Sequence, residues 1–182
     1  VSGVVDPLAS IRAWTLEVEI AGREYTIAPR LAGEWLAILL DEVFDASLVL
    51  PGMLSDEDAE ELEEALLDRR VSSSEVTDAA LDVVAMAAGR PWWWTLRLSS
   101  VLSAHWLTVY GHLTSQGLDI NRMTLGSFLD AAYYVCLTMF FTKPEQRLQF
   151  NRDLETPPVG QKVELNEEQE AANFLALMNS NR

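Results

Sequence analysis

Strict alternation marks the first element of the chain. Trp14-Thr15-Leu16-Glu17-Val18-Glu19-Ile20 places apolar residues at every second position, and Arg23 to Ile27 does so again after Ala21-Gly22. Period two on both sides of a glycine turn predicts a β-hairpin, with Trp14, Leu16, Val18 and Ile20 on the same face as Tyr25 and Ile27. A hairpin alone is marginal in water, so its apolar face needs a second layer. Residues 1–12 are expected to be a loose leader.

At Pro29 the period changes to that of a helix. Leu31, Trp35, Ile38, Leu39 and Val43 recur at spacings of three and four, predicting a first helix over about 31–44 behind the proline. Ala46 to Met53 is an apolar loop with a Pro-Gly turn, expected to tuck under the helices. Ser55, with Asp58 three residues on, predicts the cap of an acidic helix that reaches about Arg69 and Arg70 and has a thin stripe of Leu62, Ala65 and Leu66. Ser73 or Ser74 is expected to cap a third helix with Val76, Ala80, Leu81, Val84 and Met86 inward, stopped by Gly89 before Pro91. From Trp92 to about Ser115 apolar residues occupy most faces, the mark of a central helix.

Gly117 ends that helix, and Thr124 caps the next, which runs to about Phe141. Lys143-Pro144 either kinks it or begins a short further helix to about Leu154. Thr156-Pro157-Pro158-Val159-Gly160 has the composition of a linker. Beyond it Asn166, with Gln169 at the third position, predicts a small amphipathic helix with Ala171, Phe174, Leu175 and Met178 in one stripe. The predicted fold is mainly α: an N-terminal β-hairpin packed on a bundle of about five helices. The helical domain covers 13–155, and the linker and amphipathic tail cover 156–182.

Composition narrows the partners. With 182 residues, 49% hydrophobic and 23% charged, the chain can bury a core without disulfides or metal. Thirteen Lys and Arg against 28 Asp and Glu leave a net charge of -15, which disfavours nucleic acid and anionic membrane. The one cysteine, Cys136, excludes an intramolecular disulfide framework and a Cys-rich zinc site, and its apolar neighbours predict a core residue. Val1 to Pro7 lacks the basic start and apolar stretch of a signal peptide, and the uncharged run Ala131 to Thr142 is shorter than the roughly 18 residues of a membrane span. A cytoplasmic location is the expectation.

Candidate chemistry is sparse. His105 and His112 lie seven apart on one predicted helix, separated by about 10 Å of rise, so one metal cannot take both. Glu61 and Glu64, followed by Glu75 and Asp78, have the carboxylate spacing with which all-α nucleotide pyrophosphatases hold magnesium. The run Asp56 to Glu64 generates such a spacing by itself, and a solvated acidic helix is the expected reading. Trp92-Trp93-Trp94 is the better candidate for function. Successive helical residues diverge by about 100°, so all three cannot face one core, and at least one should reach the surface or a second packing layer. Neither catalytic, cofactor nor metal residues are expected.

The order of features resembles the tail assembly chaperones of long-tailed, siphovirus-like actinobacterial phages. The likeness rests on the hairpin Val18 to Ile27, the Pro-led helix with Glu34-Trp35-Leu36, and the Leu48 to Leu54 loop. It continues through the acidic helix, Trp92 to Leu98 and Leu125 to Tyr133, covering about 14–158. It implies a non-catalytic protein of the bacterial host cytoplasm that binds the tape measure protein, keeps it soluble during tail assembly and is absent from the mature virion. It also implies a longer form made by ribosomal frameshifting, a partner of the short form, with possible self-association. On physical grounds the partner-binding residues are expected to be Trp92, Trp93 and Trp94 together with Phe174, Leu175 and Met178. Two alternatives stay open: a structural head or tail component of the phage particle, and a magnesium-dependent all-α nucleotide pyrophosphatase.

Overall fold

The computed structural model describes residues 15–28, 30–40 and 49–159. Within them, β1 (Leu16–Ile20) and β2 (Arg23–Ile27) form the hairpin, followed by six helices. These are α1 (Ala32–Leu39), α2 (Asp56–Leu67), α3 (Ser73–Ala88), α4 (Trp92–Ser115), α5 (Leu125–Met139) and α6 (Pro144–Glu155). The expected fold is therefore the observed one: mainly helical, with an N-terminal antiparallel hairpin. Trp14, Pro29, the second half of the first predicted helix and the tail stripe Phe174, Leu175 and Met178 lie outside the described residues.

The strands pair in the register Leu16 with Ile27, Val18 with Tyr25 and Ile20 with Arg23. Ala21 and Gly22 turn the chain with φ of 52° and 83°, the two positive values that a type I′ hairpin needs. Val18, Ile20, Tyr25 and Ile27 are buried, and the layer that covers them is α3, which packs along β1.

Two helices begin one step away from expectation or end early. Ser72, not Ser73 or Ser74, caps α3: its Oγ accepts from the Glu75 N–H at 3.3 Å, and its own N–H donates to Glu75 Oε2 at 2.8 Å. This reciprocal box satisfies two helix-end donors at once. The buried stripe is Val76, Ala79, Ala80, Val83, Val84 and Ala88, at spacings of three and four. Leu81 is only half-buried and Met86 is exposed, because their apolarity does not place them on that stripe. The α2 helix stops at Leu67, short of Arg69 and Arg70, since Arg69 turns left-handed at φ 58°. Arg70 and Val71 then return their N–H groups to the Ala65 carbonyl.

The central helix is α4, which touches α1, α3, α5 and α6. It is not buried all round. Trp94, Thr95, Leu98, Ser99, Leu102, Val109 and Leu113 are buried, whereas Leu107 is 84% exposed. His105 interrupts the helical backbone at φ -124° and ψ 17°, bending the helix between its two buried segments. The α5 helix closes at Met139, where the N–H groups of Phe140 and Phe141 both find the Cys136 carbonyl. Pro144 then opens a separate helix, settling the choice between a kink and a new element. At the start of α5, a Cβ on Gly126 would lie 2.9 Å from the Ala88 carbonyl oxygen, so the absence of a side chain is what lets α5 meet the end of α3.

Candidate functional site

Gly89 ends α3 in the left-handed conformation at φ 63°, and Pro91 caps α4, so the tryptophan triplet enters the helix at a sharp corner. The three indoles then diverge, as consecutive helical residues must. Trp94 is buried at 6% exposure, tilted against Tyr133 with ring centroids 5.8 Å apart. Arg90 lies over its ring, the guanidinium carbon 4.5 Å from the centroid, and pairs with Asp130 at 2.7 Å. Trp94 is thus a packing residue of the core, while its two neighbours keep part of their surface open. Trp92 and Trp93 stay half-buried and meet edge to face at 5.7 Å and 84°. The buried Trp93 Nε1–H has no acceptor among the described residues.

One and two helical turns beyond Trp93 come Arg97 and Val101, on the same side of α4. These two residues form one wall of a groove of about 670 Å³, whose opposite wall is α6. Its floor is aromatic: Phe141 and Phe150 stack with centroids 4.1 Å apart, and Leu154 extends the apolar lining. The Arg97 guanidinium donates to the carbonyl oxygens of Asp153 and Thr156. One side chain of α4 thereby ties down the C-terminal turn of α6 and the chain that leaves it. Tyr133 fixes α6 from below by donating its hydroxyl to Asn151 Oδ1 at 2.8 Å.

Two of the four carboxylates of the pyrophosphatase alternative, Glu61 and Glu75, serve other contacts. Glu61 forms an ion pair with Arg23, which also reaches Asp58 at 3.4 Å and lies over the Tyr25 ring. Glu75 belongs to the Ser72 cap, and its hydrogen bonds to the Ser72 backbone and hydroxyl lower its pKa. Burial, then the like charge of Asp78, raises the pKa of Asp82. Among the described residues no group of three His, Cys, Asp or Glu side chains is placed to hold a metal ion.

His105 stacks on Phe140 at 4.2 Å, and His112 makes a 3.0 Å hydrogen bond with Gln116, so the two histidines have separate surroundings. Cys136 is buried, and burial pushes its thiol up to about 11, as befits an unreactive packing residue. Among the described residues no helix is long and apolar enough to cross a membrane. The indole pair was legible in the sequence as a local cluster. The groove was not, because its walls come from segments about fifty residues apart, and neither Arg97 nor Phe150 carries a local signal. The chain matches no known protein family, no curated protein and no solved structure.

Proposed function

We propose that this protein is a phage tail assembly chaperone that binds the tape measure protein and keeps it soluble while the tail is built. The reading rests on the resemblance over about 14–158, and one structural observation favours it. A half-buried indole pair, Trp92 and Trp93, opens α4 one helical turn before Arg97, in a chain of charge -15. A tape measure protein is long, helical and rich in apolar residues, so it needs a partner that covers its exposed stripes without precipitating with it. Tryptophans supply contact area at small entropic cost, and the acidic exterior keeps the complex dispersed. The work is masking, and it needs no bond to be made or broken.

On this reading the protein acts in the cytoplasm of the bacterial host, is left out of the finished virion, and is accompanied by a longer frameshifted form. Expression of the gene with its native downstream DNA and an N-terminal tag tests this directly. Blotting and peptide mass spectrometry should reveal a second, longer product that departs from this sequence near its C-terminus. A lone product, combined with peptides of this chain in purified virions, would instead identify a structural component of the particle.

A further inference from the structure

We infer that the groove between α4 and α6 is the seat of the chain's own C-terminal segment, taking the apolar stripe Ala171, Phe174, Leu175 and Met178 against its aromatic floor. Three observations converge on this occupant. The first is where the chain leaves the fold. Thr156 lines the groove, and Arg97 holds its carbonyl, so the polypeptide departs from the edge of the site itself. Pro157 and Pro158 are half-buried, and Val159 stands fully exposed at the exit. The roughly seven residues from there to Asn166 span up to about 24 Å when extended, ample to bring the stripe back over Phe141 and Phe150.

The second observation is charge. Lys and Arg are scarce in a chain with 13 of them against 28 acidic residues, yet Arg97 and Arg152 both line this groove, against Asp153. The segment that precedes the stripe carries Glu164, Glu167, Glu168 and Glu170. Acidic residues ahead of an apolar stripe complement basic residues beside an apolar floor. The third is shape: Phe141, Phe150 and Leu154 offer an apolar lining that suits the narrow face of an amphipathic helix. Tethering raises the local concentration of this ligand to about the millimolar range, so even a weak contact would be occupied.

The inference needs no tape measure protein, although it gives to the groove the Phe174, Leu175 and Met178 that the chaperone reading offers to a partner. Its test uses the full chain with nitroxide labels at Leu148→Cys on α6, where the native residue is 62% exposed, and at Ala176→Cys off the stripe. The buried Cys136 stays out of reach of the label. Double electron–electron resonance should give one narrow distance distribution. That narrow component should be lost in Phe174→Ser/Leu175→Ser, and also in Val101→Glu with the tail intact. A broad distribution that neither change alters would overturn the proposal. So would a narrow component that vanishes when labelled protein is diluted into excess unlabelled protein, since the groove would then hold the tail of a second copy.

Discussion

Phe128→Ala should lower the stability of the protein by about 3–5 kcal/mol, the range for truncating a buried aromatic residue. Phe128 is fully buried on α5, with its ring tilted against Trp106 of α4 at a centroid distance of 6.3 Å. Its removal opens a cavity between the two helices that carry most of the core. The walls cannot close on it, because Gly126 already holds the start of α5 against the α3 backbone. For a chain of this length the loss corresponds to a fall in melting temperature on the order of 10 °C. Leu107→Ala supplies the contrast: Leu107 is 84% exposed on the neighbouring helix, and its truncation should stay within about 0.5 kcal/mol. Equal effects of the two substitutions in thermal or urea unfolding would refute the packing described for α4 and α5.

Leu62→Ala should produce a loss of about 2–5 kcal/mol, with a different signature. The α2 helix buries only Leu62 and Ala65, and its remaining positions are dominated by Asp and Glu that repel one another. Without the Leu62 side chain, Ala65 is the one buried residue left on the helix, and the partly exposed pairs of Arg23 with Asp58 and Glu61 contribute little. The helix should therefore open locally before the rest unfolds. Hydrogen exchange would show amides of α2 losing protection while those of α4 and α5 keep theirs. Added salt should restore part of the loss by screening the acidic repulsion. Uniform loss of protection along the chain would mean that α2 is an integral part of the cooperative core.

Local patterns were legible where burial and period coincide. The hairpin register follows from alternation alone, since a one-residue slip would send Val18 and Ile20 to solvent. Ser55 and Thr124 cap the helices that their positions predict, with Oγ atoms accepting from Asp58 and Ser127. Leu81 and Met86 are apolar yet lie beside the buried stripe of α3, so hydrophobicity without spacing does not place them. The bend at His105 has no proline or glycine to announce it. Among the three tryptophans, sequence says that they must diverge. Only the placement of Tyr133 and of the Arg90–Asp130 pair decides that Trp94 is the one taken into the core. The α4–α6 groove stayed hidden for the same reason: contacts between distant segments leave no local period to read.

The most direct test of the chaperone reading is co-expression with the tape measure protein that this reading requires in the same genome. Soluble tape measure protein recovered with this chain should fall sharply for Trp92→Ala/Trp93→Ala, while the melting temperature of the variant drops far less than that of Phe128→Ala. Tape measure protein that stays insoluble beside the unaltered chain, or equally soluble without it, would contradict the account.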